Sequence, residues 1–363
     1  MRPLKGLGLV FPAQMCSAEL ETIWSTVDLL RFTRSASEAG IVEPCRGFSE
    51  SRAGVEMTVS ARAVTMEDDL DTLLAGTLGW PGADRIAAAF TVACDTASAQ
   101  FVAEDGGRIV GYGHLLTDPA AEGGRAGVHI FVAPSHRGRG IGSELWRVVL
   151  PYARASGLPG LRALADVDDE LSMAIAEAHG LSRGSVRRES LLDLTTLRTE
   201  FVEAAVRRAH EEGLDLVAFA PRSEGDWEAF YEAFLQLHLA TPDSAAGGEP
   251  PPFETLRGGY AERWQVFLAR RGPVIVGITM AFQRLDLPSR VVTFFTGVIS
   301  TERGRGVATA LKAEHARRLR DEGWRELSTW NMEENLPILV ANARLGFQPI
   351  LRVQSLLLDF EEP

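Results

Sequence analysis

Lysine is almost missing from this chain: only Lys5 and Lys312 occur, against 35 arginines. Arginine number therefore says little here, while arginine position stays informative. Cysteine is scarce too. Cys16, Cys45 and Cys94 form no C-x-x-C pair and no even framework, which excludes a disulfide scaffold and suits a reducing cytoplasm. No apolar run approaches the length of a membrane span, and the short apolar stretch before Pro12 is too brief for a signal-peptide core. The seven histidines are scattered without ligand spacing, so no metal centre is expected. Positive charge is in deficit: the net charge of −12 argues against nucleic acid or an anionic membrane as the main partner. It fits either a cationic substrate or simply a solvated acidic surface.

What is present is a repeat. At 363 residues, 45% of them hydrophobic and 24% charged, the chain reads as a globular protein of two ordinary domains. An offset of 166 maps Arg137 onto Arg303, Gly140 onto Gly306 and Gly111 onto Gly277. It also maps Gly157 onto Gly323, Gly180 onto Gly346 and Asp193 onto Asp359. The expected organisation is a first copy over 57–196, a linker over 197–211 and a second copy over 212–363. Residues 1–56 have no counterpart in the second copy and are expected to be disordered, or to precede a true start at Met57.

Each copy opens with a strand ("SARAV", "LDLVAFA") followed by helical segments, then three alternating strands. Hairpin turns are expected at Asp105-Gly106-Gly107 and near Gly272-Pro273. A glycine-arginine turn leads into a helix, and a further strand, a short helix and a last strand close the copy. The second copy carries an irregular loop over 240–253.

The repeated turn reads "HRGRGIGSEL" at 136–145 and "ERGRGVATAL" at 302–311. A helix start exposes unpartnered N–H groups and partial positive charge, and glycines ahead of it let an anion approach closely. Arg137 and Arg139, or Arg303 and Arg305, add charge suited to phosphate oxygens. No Lys-Ser or Lys-Thr follows the last glycine, and Ser143 and Thr309 occupy the third place of a G-x-G-x-x-G. Both a Walker loop and a dinucleotide fingerprint therefore fail. A diphosphate cradle of another type remains.

"VAPSHRGRGIGSEL" and "VISTERGRGVATAL" resemble the acyl-CoA-binding motif of the GNAT superfamily of N-acetyltransferases, and "NLPILVANARLGF" is similar to the family's following helix and Gly-Phe turn. The resemblance covers about 57–196 and 212–361. It implies two consecutive α/β (α+β) domains, each a mostly antiparallel mixed sheet flanked by helices, with splayed central strands. It further implies acetyl-CoA as co-substrate. Its diphosphate would lie on Arg303, Gly304, Arg305, Gly306, Val307, Ala308 and Thr309, and its pantetheine arm along Val298 and Ile299. The first-copy equivalents are Arg137, Gly138, Arg139, Gly140, Ile141, Gly142 and Ser143, with Val132 and Ala133. Direct attack by an amine in a ternary complex is the implied chemistry.

Where many family members carry a tyrosine for the leaving thiolate, this chain has Ala176 and Asn342. Asn342 donates a hydrogen bond but releases no proton, and Asn331 is a second polar candidate near it. Asn335 before Pro337 reads equally well as a helix N-cap. No carboxylate stands early in the fourth strand, where Ala126 and Val292 occur. The base candidates are Glu333, Glu334, His238 and Tyr231 in the second copy, and His114 and His129 in the first. The second copy looks more complete: it keeps the Gly-Phe turn and adds Trp227, Phe230, Tyr231, Tyr260 and Trp330. Pro151 is expected to kink or shorten the first-copy helix. The expected function is acetylation of a small-molecule amine, mainly by the second copy. Acetylation of a protein amine and a non-catalytic coenzyme A sensor stay open.

Overall fold

The computed structural model describes residues 60–63, 98–116, 124–241, 250–261, 264–283 and 289–360. The expectations for residues 1–56, the Met57 start, the first-copy helical segment near 67–78 and the loop residues 242–249 lie outside these.

The first copy runs β1 (Ser60–Ala63), β2 (Ser98–Asp105), β3 (Arg108–Leu116), β4 (Ala126–Val132), α1 (Ile141–Ala155), β5 (Gly160–Asp166), α2 (Glu170–Ala178) and β6 (Ser182–Asp193). The joining helix α3 (Thr199–Glu211) follows. The second copy runs β7 (Asp215–Ala218), α4 (Glu224–Leu239), α5 (Phe253–Ala261), β8 (Gln265–Arg271), β9 (Val274–Gln283) and β10 (Arg290–Val298). It closes with α6 (Val307–Asp321), β11 (Glu326–Met332), α7 (Leu336–Leu345) and β12 (Gln348–Asp359). This is the expected mixed α/β class.

The chain divides into two compact units that are not contiguous in sequence. Among the described residues one unit holds 60–191 and 329–360, the other 192–241 and 250–328. In the first unit the strand order is β1-β2-β3-β4-β5-β12-β6. The last strand of the chain is seated between two first-copy strands, antiparallel to both, with Leu358 opposite Leu161 and Arg352 opposite Arg188. The parallel β4–β5 ladder pairs Ala126 with Leu161 and Gly127 with Arg162 and stops there, well short of Val132. In the second unit β10, β9, β8 and β7 are antiparallel in that order.

Both hairpins turn where glycine permits it. Gly106 and Gly107 have φ of 57° and 77° between paired Asp105 and Arg108, as a two-residue type I′ loop requires. Gly272 at 60° followed by Pro273 suits a type II′ loop between Arg271 and Val274.

The registered glycines of β3 and β9 have a packing reason. A Cβ on Gly111 would lie 2.9 Å from Leu145 Cδ1, and one on Gly277 2.9 Å from Leu311 Cδ1. Each sheet thus takes its helix in close contact, with α1 burying Ile141, Leu145, Val149 and Ala153 on one side of the first unit. In the second unit α6 buries Val307, Ala310 and Leu311 against Phe267, Ala269, Val276 and Val298. Another cluster there is aromatic-rich, joining Phe219, Phe230, Phe234 and Phe295 with Ile278 and Met280. The helix α1 does not end at Pro151; it runs on to Ala155. The ring removes one backbone donor, but Val149 and Ala153 are both fully buried and hold the last turn on the sheet.

Candidate active site

In both copies a single turn of 3-10 helix follows the strand, Pro134–His136 or Ser300–Glu302. Two left-handed glycines come next: Gly138 at 74° and Gly140 at 80°, Gly304 at 75° and Gly306 at 85°. An L-side chain in this region costs about 1–2 kcal/mol. A Cβ on Gly138, Gly304 or Gly306 would meet nothing within 4 Å, so glycine is demanded by φ, and the space over the turn is open. Gly140 and Gly306 are the N-caps of α1 and α6, and neither helix start has a side-chain cap. The first helical bonds come from Glu144 N to Gly140 O at 3.0 Å and from Ala310 N to Gly306 O at 2.9 Å. The amides of Ile141, Gly142 and Ser143, and of Val307, Ala308 and Thr309, precede those ladders and point outward. Each copy therefore presents a bare, electropositive helix start suited to an anion.

Arg137, Arg303 and Arg305 are turned back toward the protein. Arg303 Nε donates to Val298 O at 3.1 Å and its Nη2 to Ala240 O at 2.8 Å. Arg137 Nε makes the equivalent bond to Val132 O at 3.1 Å. Arg305 reaches Glu302, whose carboxylate Arg271 also grips through Nε at 2.9 Å and Nη2 at 3.1 Å. Arg271 and Arg305 hold the Glu302 carboxyl below its usual range. Position 302 corresponds to His136 in the first copy, and Arg139 there is exposed.

At the pantetheine positions the two backbones are used alike, and the copies differ earlier in the strand. Ile299 N donates to Val276 O and Ala133 N to Val110 O, so those amides are consumed by the neighbouring strand. Alternation along a strand then turns the Val298 amide away from β9. In β10 the register breaks between Thr293 and Phe295, which leaves Phe294 as a bulge residue. The first-copy β4 pairs with β3 without interruption from Gly127 to Val132. Bulges release backbone groups from the ladder and re-aim side chains.

Asn342, fully buried on α7, donates from Nδ2 to Asn331 Oδ1 on β11 at 2.8 Å. Asn335 occupies the N-cap position of α7, though its side chain makes no capping bond. Among the base candidates, Glu333 is clasped by Arg352 at 2.7 Å and Arg188 at 2.8 Å. These guanidiniums hold its carboxyl down to about 2, leaving it a feeble proton acceptor. Burial pushes His114 down to about 4, and burial with the charges of His114 and Arg162 pushes His129 down to about 3. Tyr231 donates its hydroxyl to Pro251 O at 3.2 Å. His238, half-buried at the end of α4, is lowered by burial alone.

Sequence reasoning passed over Ala240, Arg271, Glu302 and the bulge. Ala240 acts through its carbonyl, and Arg271 and Glu302 meet across 31 residues, so no local pattern marks them. The bulge left no clear sign either, since Val291-Val292 and Phe294-Phe295 are both adjacent apolar pairs in one strand.

A strand ending in a bare glycine turn and an uncapped helix, written twice, is the frame of an acyl-CoA-dependent transferase. Comparison with known proteins agrees. The model of the Acetyltransferase (GNAT) family matches residues 70–181. The mycothiol acetyltransferase of Salinispora arenicola is 30% identical over 66% of this chain and 75% of its own. That of Mycobacteroides abscessus is 28% identical over 69% and 82%. A tandem GNAT protein from the clavulanic acid biosynthesis pathway has a similar fold, with a TM-score of 0.61 and 23% identity over 84% of this chain and 99% of that one. The chain belongs to the GNAT family, in its tandem form, and is an N-acetyltransferase. Among the described residues no helix is long and apolar enough to cross a membrane.

Proposed function

We propose that the protein transfers the acetyl group of acetyl-CoA to a primary amine of a small molecule, by direct attack in a ternary complex, with the chemistry mainly in the C-terminal copy. The observation that carries this reading is the second turn: two left-handed glycines and an uncapped α6, beside a strand with a bulge at Phe294. The amides of Gly304 to Thr309 hold the diphosphate. Arg303 acts by bracing the turn through Val298 O and Ala240 O. The Val298 amide, turned away from β9, meets the pantetheine arm, and Ile299 supports it through its bond to Val276 O. By its place in the family's pattern Asn342, held by Asn331, is the group assigned to the departing thiolate, with a second Nδ2 hydrogen left to donate. A thiolate leaves tolerably from a thiol pKa of about 8.5, so no strong acid is needed there.

The first-copy turn binds coenzyme A through the amides of Gly138 to Ser143 without transferring the group. Its β4 is regular, Ala176 stands where the second copy has Asn342, and its two buried histidines are weak bases. The relatives' name, mycothiol acetyltransferase, sets the class to try first: amines on small polar metabolites. Thiol release from acetyl-CoA across an amine panel tests the reading. Changing Arg303 and Gly306 abolishes turnover, while changing Arg137 and Gly140 leaves it. Equal losses from both pairs overturn the division between the copies.

A further inference from the structure

An amine is protonated at neutral pH, and nucleophilic attack needs its lone pair. One carboxylate candidate, Glu333 directly after β11, is tied up by two arginines. One imidazole of the same copy lies elsewhere. His238 is at the last turn of α4, between the rings of Phe234 at 5.5 Å and Phe295 at 6.0 Å. Phe295 belongs to the bulged stretch of β10, three residues before the Val298 amide. Two residues after His238, the Ala240 carbonyl receives Arg303 Nη2. The helix end that carries His238 is thus fastened to the anion-binding turn and stacked on the strand beside it.

We infer that His238 is the proton acceptor for the attacking amine in the C-terminal copy, an assignment that rests on the reading that this copy performs the transfer. The amine enters as its free base, its extra proton already lost to solvent; its nitrogen forms the new C–N bond and the C–S bond breaks with its electron pair on sulfur. The proton from nitrogen sits on the His238 ring until solvent or the departing thiolate takes it. The two rings packed on the imidazole, Phe234 on α4 and Phe295 on β10, are uncharged, and the hydroxyls of Thr279 on β9 and Thr296 on β10 are paired at 2.9 Å. Arg303 brings a charge to this helix end through its bond to Ala240 O. Half-burial between two phenyl rings keeps the imidazole neutral to a lower pH than usual, so the acceptor form is present throughout the neutral range.

The test uses the full chain, acetyl-CoA and a series of small primary alkylamines, with hydrolysis of acetyl-CoA by water as the acceptor-free reaction, all followed by thiol release. Replacing His238 by glutamine keeps a polar side chain of similar length. We expect His238→Gln to lower kcat roughly a hundredfold or more, with the KM for acetyl-CoA nearly unchanged. In the native protein kcat/KM rises with pH through a limb below the ordinary histidine value, and the variant lacks that limb. In the native protein acetyl-CoA also shifts the His238 imidazole NMR signal. A variant with native rates and an intact acid limb overturns the assignment. Calorimetry separates the two claims: if acetyl-CoA binds and Gly306→Ala weakens it, a null result for His238 sinks the base alone. If acetyl-CoA does not bind, the transfer reading and the base fall together.

Discussion

Asn342 Nδ2 and Asn331 Oδ1 are 2.8 Å apart, and the pair joins α7 to β11 inside one unit. Two side chains that the sequence marks separately form one polar device. Asn342 Oδ1 is buried and finds no hydrogen-bond partner among the described residues, an arrangement kept only where something else gains from it.

A double-mutant cycle of Asn342→Ala and Asn331→Ala is expected to give a coupling energy of about 1 kcal/mol in urea unfolding. Thiol release is expected to fall about tenfold for Asn342→Ala, with less loss for Asn331→Ala, which acts through its neighbour.

Arg303→Lys is expected to weaken acetyl-CoA binding nearly as much as Arg303→Ala. What is lost is the fork that spans Val298 O and Ala240 O, and a lysine cannot reproduce it. Arg305→Ala costs less, since its contact with Glu302 is half-exposed and Arg271 keeps that carboxylate. Calorimetric titration with acetyl-CoA orders the three variants.

Gly140→Ala and Gly306→Ala both force a side chain into φ near +80°, and each is expected to lower stability by about 1–2 kcal/mol. Thermal unfolding shows equal losses for the two. Activity does not: only Gly306→Ala loses turnover.

Glu333 carries a pH dependence. Its folded pKa of about 2 lies below the unfolded value of about 4.3, so its stabilisation is complete above the unfolded value. It is lost as pH falls toward 2. Glu333→Gln is therefore expected to be less stable than the native chain at pH 7, and the two urea midpoints converge as the pH is lowered below 4.

Lys312 has the same pH sense from a different cause, since burial disfavours its charged form. Burial on α6 lowers it to about 7 from an unfolded value of about 10.4. The unfolded chain then binds the extra proton between those values, so stability rises with pH across that window. Lys312→Met flattens the rise, as urea midpoints at pH 7 and pH 10 will show.

Much of the site was legible in the chain because it is local. A glycine that must adopt positive φ, a missing cap and an amphipathic helix are all set within ten residues, so "RGRG" before a helix could be read as an anion cradle. The two hairpin turns were legible for the same reason. The course of α1 through Pro151 was not, because Val149 and Ala153 gain from a sheet formed by distant residues. The fate of Glu333 was hidden likewise: its partners stand 145 residues before it and 19 after it.

The sequence by itself determined the duplication, the mixed α/β class and the two glycine turns, because each depends on spacing and on φ values a residue type permits. The tertiary structure alone decided where the guanidiniums go and which strands become neighbours. Nothing in "SLLLDF" says that β12 lies between β5 and β6. A strand's edge is satisfied by any partner of matching register, and the chain finds that partner only when residues nearly 200 positions apart are brought together.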